Sequence, residues 1–318
     1  MILVTGATGF VGQEVVKNLI ITGHDVRACA RQDGIVFHPN AHIFKVGNLS
    51  ENTDWHSALQ NLDVVIHLAA RVHVMTEHTS GSLTEFRKVN TAATLNLARQ
   101  AIDAGVKRFV FISSIKVNGE DTNNGLKFSP NDIHVPTDPY GLSKYEAEQG
   151  LLKLAEETNM EVVIIRSPLV YGVGVRANFL SMMQWVNKGI PLPFGSIHNK
   201  RSLVALDNLV SFIIHCIEHP KAANEVFLIS DGEDVSTTEL LQQVAKAFGK
   251  KIFLLPVPVG LMRFFAKLLG KEDVANRLFG SLQVDSSKAR DLLDWKPVIT
   301  MDEQLKKIAD VFARNKNT

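Results

Sequence analysis

One turn near the N-terminus constrains the fold of this chain more than any other feature. A short apolar run at residues 2–4 is followed by TGATGFVG, which places glycines at Gly6, Gly9 and Gly12. Apolar residues then recur at helical spacing over residues 10–20, so the pattern predicts a strand, a tight turn and a helix. Such glycines let the backbone approach a pyrophosphate, whose charge the helix N-terminus stabilises. The sequence therefore predicts a dinucleotide-binding turn.

The alternation of strand and helix continues through the first half of the chain. Apolar runs predict strands at residues 24–30, 64–68, 109–113 and 161–166, with helical patterns at 83–104 and 140–157. A helix at 205–218 and a strand at 225–230 are expected to return to the same sheet. This alternation is typical of βαβ units, so we expect an α/β fold with a doubly wound parallel Rossmann sheet.

The second half is less regular and predicts a smaller, interleaved α/β substrate domain. We expect the dinucleotide-binding Rossmann domain to comprise residues 1–170 and about 201–230, and the substrate domain residues 171–200 and 231–318. A capping-box pattern at Ser236 and Glu239 begins a predicted helix. An apolar helix near 261–269 is expected to pack over the substrate domain. The alternative is a basic amphipathic helix that attaches peripherally to a membrane.

Composition argues against several functional classes. The 318 residues carry a net charge of +1, so no overall field should draw the chain onto nucleic acid. The isolated Cys29 and Cys216 are typical of buried thiols in a reducing compartment. No secretion signal and no run of 18 apolar residues is visible, so we expect no membrane span and a cytoplasmic protein. Histidines such as His73 and His78 lack metal-ligand spacing, so no metal is predicted.

The end of the second strand bears on the choice of dinucleotide. An acidic residue there would bind the ribose 2′-hydroxyl of NAD, whereas an arginine suits the 2′-phosphate of NADP. Arg31 occupies this position and favours NADP(H), while the nearby Asp33 keeps NAD(H) possible. The alternative for Arg31 is an exposed surface arginine. Asn48 is a candidate for the adenine edge or, alternatively, a turn residue.

A phenol and an ammonium recur one helical turn apart in the predicted helix at 140–157. Tyr140 and Lys144 stand at i and i+4, and therefore share one helix face. The free pKa of tyrosine is about 10, and a nearby positive charge favours the phenolate. Lys144, helped by the nicotinamide cation, is therefore expected to lower the pKa of Tyr140 and make it a usable acid and base. Ser114, at the end of a strand, can donate a hydrogen bond to a substrate oxygen.

These motifs together resemble the extended short-chain dehydrogenase/reductase family of the UDP-galactose 4-epimerase type. The resemblance covers essentially the whole chain and rests on residues 5–12, 67–70, 89–91, 113–114, 140–144 and 166–172. It implies that Ser114, Tyr140 and Lys144 are catalytic and that Asn90 supports the active-site helix. The cofactor-binding residues it implies are Gly6, Thr8, Gly9, Phe10, Val11, Gly12, Arg31, Asn48, Leu49, Leu68, Ala69, Ala70, Asn90, Tyr140 and Lys144.

The resemblance extends to a UDP-sugar substrate. Asn178 and Phe179 fall where the family contacts the sugar nucleotide, and Pro193 lies in the segment expected beside uracil. Arg201 and Arg277 match the family's diphosphate arginines, and guanidinium groups bind phosphate bidentately. The alternative for each arginine is a surface ion pair. The family also implies a homodimer through a helix pair that includes the Tyr140 helix.

One departure from the family pattern narrows the chemistry. Relatives that remove water across C5–C6 carry an Asp-Glu pair after the catalytic hydroxyl, but here Ser114 is followed by Ile115 and Lys116. A 4,6-dehydratase is therefore disfavoured. A second departure is Asn118, where the family usually has tyrosine.

Two oxidoreductase reactions and one binding function are compatible with these motifs. Arg31 favours a consumed NADPH, and residues 113–120 and 281–285 resemble bacterial UDP-N-acetylquinovosamine dehydrogenase. The predicted function is reduction of the C4 keto group of a UDP-4-keto-6-deoxy-N-acetylhexosamine, in O-antigen or lipopolysaccharide biosynthesis. The alternative is a UDP-hexose 4-epimerase with retained NAD. A non-catalytic dinucleotide sensor is disfavoured, because Tyr140 and Lys144 are both present.

Overall fold

A parallel seven-stranded sheet forms the centre of the computed structural model, which describes residues 1–32, 41–72, 82–122 and 125–314. The strands are β1 (Ile2–Thr5), β2 (Val26–Ala30), β3 (His42–Lys45), β4 (Val64–His67), β5 (Arg108–Ser114), β6 (Glu161–Ser167), β7 (Leu169–Tyr171), β8 (Arg201–Ala205), β9 (Glu225–Leu228) and β10 (Asp234–Val235). The large sheet has the order β3-β2-β1-β4-β5-β6-β9, and each neighbouring pair is parallel.

Helices cover both faces of this sheet. They are α1 (Phe10–Ile21), α2 (His56–Leu59), α3 (Ser82–Phe86), α4 (Ala93–Asp103), α5 (Pro139–Glu157), α6 (Ala177–Lys188), α7 (Leu206–Glu218), α8 (Thr237–Ala247), α9 (Val259–Leu268), α10 (Glu272–Phe279), α11 (Ser287–Leu293) and α12 (Met301–Arg314). Alternation along β5 explains the two layers: Phe109 and Phe111 pack with Leu97 of α4, while Val110 packs with Leu209 of α7. The predicted doubly wound Rossmann sheet is confirmed.

The strand order places a crevice at one edge of the sheet. The chain runs outward from β1 through β2 to β3, and then returns to the other side of β1 to form β4. The connections that follow β1 and β4 therefore lead to opposite sides of β1, and ligands of doubly wound sheets bind at such a switch point. The glycine-rich turn follows β1 directly.

A second, three-stranded sheet has the order β10-β8-β7. It packs with α6, α8 and α12 around a separate core that includes Tyr171, Met183, Leu241 and Leu305. β8 pairs with β7 and β10 in this sheet, although it begins the segment assigned from sequence to the Rossmann domain. The division of the chain into two domains stays a prediction.

Two predicted helices differ from the structure. The pattern at 83–104 is divided into α3, a π-helical segment Arg87–Ala92 and α4. The helix predicted near 261–269 is α9, but none of its residues, all of which the structure describes, is buried. α9 contacts α10 within the predicted substrate-domain segment, but four of its large apolar side chains are exposed. In the described part of the chain, no helix has the length and apolar character that crossing a membrane requires.

Candidate active site

The glycine-rich turn brings the loops after β1 and β4 into contact. Gly6 has a φ of +67°, and a Cβ atom there would lie 2.7 Å from the backbone nitrogen of Ala69. A Cβ atom at Gly12 would lie 2.2 Å from the Gly6 carbonyl oxygen. Both positions therefore require glycine. The turn leads into α1, whose first N–H groups have no acceptor within the helix and can bind an anion.

A buried histidine ties this turn to the helix behind the sheet. His67 lies at the end of β4, with Nδ1 2.7 Å from the Thr5 hydroxyl and Nε2 2.9 Å from the Thr94 hydroxyl. Burial, followed by the charge of Lys144, lowers the pKa of His67 to about 3. The ring is therefore neutral at physiological pH and acts as a fixed bridge between β1 and α4. Family resemblance did not single out this residue.

The other predicted cofactor residues lie along the same edge of the sheet. Gly9 and Asn48 are exposed. The half-buried members of this set are Thr8, Phe10, Val11, Leu49, Leu68, Ala69 and Ala70. Arg31 is exposed and is the first residue after β2, as predicted. Asp33, His73 and His78 lie outside the described residues.

Tyr140 stands in the first turn of α5, opposite the end of β5. Its ring contacts Phe86 edge to face, with the ring centroids 5.9 Å apart. Burial raises the pKa of Tyr140 to about 12, a hydrogen bond from Ser114 lowers it, and the charge of Asp138 raises it. The structure thus brings Ser114 and Tyr140 together.

Lys144 lies one turn further along α5 and is almost fully buried. Its Nζ donates to the carbonyl of Ile112 at 2.9 Å and lies 4.4 Å from the centroid of the Phe111 ring. Burial lowers the pKa of Lys144 to about 7, against the opposing charge of Glu148. In the protein alone the pKa of Tyr140 is raised, and its lowering by Lys144 together with the nicotinamide cation stays a prediction.

Asn90 supports α5, as predicted from the family. It is fully buried in the π-helical segment, where its Oδ1 accepts from the backbone N–H of Arg71 at 2.8 Å. Its Nδ2 donates to the Arg71 carbonyl and to the Ser143 hydroxyl, both at 3.0 Å. One side chain therefore connects the loop after β4 to the turn that carries Tyr140.

A buried ion pair lies behind the candidate catalytic residues, and the sequence analysis did not predict it. Glu148 of α5 pairs with Arg166 of β6 at 2.6 Å, and also accepts from the Ser113 hydroxyl at 2.5 Å. Arg166 donates in turn to Asn118 Oδ1 at 3.0 Å. Asn118 thus has a structural role, since its Nδ2 also donates to the Ser129 carbonyl at 2.7 Å. Nothing in the local pattern could have paired residues so far apart in sequence.

Lys116 is also explained by the structure. Its Nζ lies 3.1 Å from Asp138 and 3.1 Å from Glu120. Asp138 is the N-cap of α5 and accepts from the backbone N–H of Gly141 at 2.8 Å. Lys116 therefore fixes the start of the catalytic helix, in the place where water-eliminating relatives carry a carboxylate.

The two predicted diphosphate arginines lie beside each other. Arg201, at the start of β8, donates from Nη1 to the carbonyls of Arg277 at 2.6 Å and Gly280 at 3.2 Å. Burial lowers the pKa of the Arg201 guanidinium, and within the described ranges no carboxylate offsets that effect. Arg277, in the last turn of α10, is exposed. The Arg201 guanidinium therefore lies against the backbone of Arg277.

The remaining predicted substrate residues occupy different environments. Asn178 is exposed near the start of α6, and Pro193 is half-buried in the loop that follows this helix. The Phe179 ring is buried and stacks on Tyr171, with the centroids 5.7 Å apart. Any contact of Phe179 with a ligand would therefore come from its backbone.

Sequence comparison agrees with this geometry. The chain matches the NAD-dependent epimerase/dehydratase family over residues 2–230. The chain belongs to this family. The predicted resemblance to the extended short-chain dehydrogenases of the UDP-glucose 4-epimerase type is thereby confirmed, and so is the prediction of an enzyme of this family.

Individual relatives of the family are similar over their full length. A UDP-glucose 4-epimerase of Vibrio cholerae is 52% identical over 99% of this chain and 96% of that protein. Among solved structures, MoeE5 in complex with UDP-glucuronic acid and NAD is 25% identical, with a TM-score of 0.78 and 99% of both chains covered. UDP-glucose 4-epimerase of Thermotoga maritima with UDP-glucose is also 25% identical, with a TM-score of 0.74 over 99% of both chains.

These relatives correct three of the finer predictions. The preference for NADP(H), drawn from Arg31, is not supported, because MoeE5 contains NAD. The resemblance to UDP-N-acetylquinovosamine dehydrogenase, with its 4-keto reduction and its link to O-antigen or lipopolysaccharide synthesis, is not supported either. The epimerase alternative fits the relatives better.

Proposed function

We propose that this protein is a UDP-sugar 4-epimerase that retains NAD through each catalytic cycle. The observation that carries the proposal is the 52% identity to a UDP-glucose 4-epimerase over nearly the whole of both chains. Three features of the site support it: the glycine cradle, the assembled Ser114 and Tyr140, and the buried Lys144. The test substrates are therefore UDP-glucose and UDP-galactose.

The residues present fit a dinucleotide. The cradle of Gly6, Gly9 and Gly12 leaves no room for side chains, and the N-terminus of α1 favours the pyrophosphate. Ala69 and Ala70 would lie along the cofactor, with Lys144 at its nicotinamide end. Bound NAD supplies a hydride acceptor and donor for C4, together with a positively charged nicotinamide ring.

Tyr140 is the proposed acid and base. Its pKa of about 12 in the protein alone keeps it a phenol at neutral pH, so positive charge near the ring is needed before it can accept a proton. It would then take the proton of the C4 hydroxyl and return it after the sugar turns over. Ser114 would donate a hydrogen bond to the same oxygen. Lys144, held by the Ile112 carbonyl, would in its protonated form add positive charge beside the phenolate of Tyr140.

Arg201 and Arg277 are the proposed ligands of the UDP diphosphate. Arg201 is held by carbonyl oxygens, so its positive charge is available to an anion. A guanidinium binds phosphate oxygens bidentately and therefore fixes their orientation. Anchoring through UDP would leave the sugar free to turn over between the two hydride transfers.

The first experiment incubates purified enzyme with UDP-galactose, without added cofactor, and follows UDP-glucose by chromatography. Interconversion without added cofactor is the expected result, and NAD released by denaturing the enzyme should approach one molecule per chain. Consumption of NADPH with a UDP-4-keto-6-deoxy sugar, and no interconversion, would overturn the proposal in favour of a reductase. UDP-N-acetylglucosamine in a parallel assay defines the tolerance at C2.

A further inference from the structure

The outward face of α9 is not explained by the candidate active site. Four large apolar side chains stand there at positions i, i+3, i+4 and i+7: Leu261, Phe264, Phe265 and Leu268. Their exposed fractions are 48%, 63%, 51% and 72%. Residues with this spacing share one face of a helix. The apolar face of α9 is therefore turned towards solvent.

The opposite side of α9 contacts α10. Met262 and Ala266 on this side are half-buried. The exposed Arg263 flanks them, donating from Nη1 to Asn276 Oδ1 at 2.9 Å, and its guanidinium lies 5.8 Å from the centroid of the Phe279 ring. A surface helix normally packs its apolar face against the core. In α9 a second and larger apolar face stays exposed.

Further exposed apolar residues flank this helix in the chain. Leu269 is the residue after it, while Phe253 and Leu255 lie in the loop that leads to its N-cap, Pro258. All three apolar residues are more than half exposed. Large contiguous apolar patches on a protein surface mark interaction sites. We call the outward face of α9 and these three residues the α9 surface.

The charge around the α9 surface is predominantly positive. Residues 250–273 contain Lys250, Lys251, Arg263, Lys267 and Lys271 against two acidic residues, Glu272 and Asp273, and Glu272 lies 4.0 Å from Lys267. The whole chain has a net charge of only +1, so the positive charge is concentrated here. Lys250, Lys251, Lys267 and Lys271 are exposed. The α9 surface therefore combines apolar insertion groups with cations.

We propose that the α9 surface docks the protein on the surface of an anionic phospholipid bilayer. The apolar side chains would enter the boundary between headgroups and acyl chains, while the lysines would contact the anionic headgroups. α9 has ten residues, about half the length needed to span a bilayer, so it would lie in the plane of the membrane. A symmetric contact between two copies would bring two patches of net positive charge together, which favours an anionic surface over a second copy as the occupant.

Docking would bring the substrate-binding half of the molecule to the membrane. α10 follows α9 directly, and the carbonyl of Arg277 in α10 accepts from Arg201. The proposed diphosphate site therefore lies one helix away from the α9 surface. The docking proposal does not depend on the reaction that the site catalyses.

Vesicle flotation tests the proposal. Full-length protein is mixed with phosphatidylcholine vesicles that contain either no phosphatidylglycerol or 30% of it, on the order of the anionic fraction that attracts basic segments. We expect binding to the anionic vesicles, with Phe264→Ser/Leu268→Ser weakening it about tenfold or more. The matched control is Ile21→Ser/Val298→Ser, which removes two similarly exposed apolar side chains elsewhere and should bind like wild type.

The lysines are tested separately. Lys267→Glu/Lys271→Glu should abolish the preference for anionic vesicles, because each basic residue near the membrane contributes about fivefold to binding. Lys17→Glu/Lys306→Glu makes the same charge change on α1 and α12 and should have a much smaller effect. Thermal unfolding followed by circular dichroism verifies that each variant is folded.

Three outcomes would overturn the proposal. The first is no binding of the wild type to anionic vesicles. The second is equal binding of the wild type and Phe264→Ser/Leu268→Ser. The third is a fall in the molar mass of the protein in solution upon that double substitution, which would mean that a second copy covers the α9 surface. None of these outcomes depends on epimerase activity.

Discussion

Tyr140 must lose its phenolic proton to act as a base, but burial in the candidate site opposes the negative charge that results. Its phenol is held at a pKa of about 12 in the protein alone, and the Ser114 hydrogen bond opposes that shift only in part. The same burial lowers the pKa of Lys144 to about 7. The pKa values of both groups should therefore shift when a charged ligand binds beside them.

Replacing Tyr140 by phenylalanine should remove proton transfer and little else. We expect Tyr140→Phe to lower kcat by about 10²- to 10⁴-fold, with the NAD content of the purified protein unchanged. Tyr145→Phe alters a half-buried tyrosine on the same helix and serves as the control. A fully active Tyr140→Phe enzyme would show that another group transfers the proton.

His67 should make the protein less stable in acid. Its pKa is lowered from 6.5 to about 3, so between these values the unfolded chain binds a proton that the folded chain does not. The free energy of unfolding therefore falls as the pH falls, by about 2 to 3 kcal/mol between pH 6.5 and 4.5 from this group. Urea unfolding should give His67→Gln a correspondingly shallower pH dependence. His42→Gln, at an exposed position, should retain the wild-type slope.

At the residue scale, the sequence predicted the candidate ligand-binding residues better than the residues that hold them in place. Tyr140 and Lys144 are visible because both lie on one helix with a known spacing. Glu148 is visible only as another acidic residue of that helix, since its partner Arg166 lies on a neighbouring strand. The rise in the pKa of Tyr140 in the protein alone could not be predicted for a related reason: burial depends on the whole fold, whereas spacing is local.

Among the secondary structure elements, α5 is the one that organises the site. Asp138 caps it, Asn90 bonds to its first turns, and Glu148 anchors it to β6. The strands and helices of the first half were predictable because their apolar runs are long and regular. The π-helical segment was not, because it arises where Asn90 bonds to the backbone of Arg71. β3 was missed because its residues are mostly exposed and show no apolar run.

Two arginine–glutamate pairs on α5 allow a direct comparison of buried and exposed ion pairs. Glu148→Gln leaves the buried Arg166 without a countercharge and should lower the free energy of unfolding by about 3 to 5 kcal/mol. Glu146→Gln breaks the exposed pair with Arg87 and should lower the free energy of unfolding far less, because solvent screens exposed ion pairs. Urea denaturation of both variants measures the difference. Equal losses would mean that the Glu148 pair does not hold α5 to β6.

At the scale of the whole molecule, two sheets separate the proposed binding tasks. The large sheet presents the dinucleotide turn and the catalytic residues, whereas β8 and α10 carry the diphosphate arginines. Sequence predicted the large sheet in detail but not that β8 joins the smaller one, because pairing between short strands is not encoded in either strand alone. The same limit applies to α9, whose apolar spacing is equally compatible with burial and exposure.

We expect the protein to be a homodimer that pairs through α5. Light scattering should then give a molar mass twice the 35.1 kDa of the chain. Gln149 is exposed on α5, and Gln149→Arg would set two cations against each other across the two-fold axis, weakening the dimer about tenfold or more. Gln242→Arg, at an exposed position on α8, should leave the mass unchanged. A monomeric wild type would contradict the expectation.

The compact arrangement of the catalytic residues has a consequence for how such enzymes diversify. Ser114, Tyr140 and Lys144 lie within one β5–α5 unit, whereas the candidate substrate residues are spread from Asn178 to Arg277. Mutations in the second half can therefore alter which nucleotide sugar is accepted without disturbing the proton-transfer machinery. Selection can act on specificity and on chemistry independently, and one ancestral reaction centre can be inherited unchanged by descendants that handle different sugars.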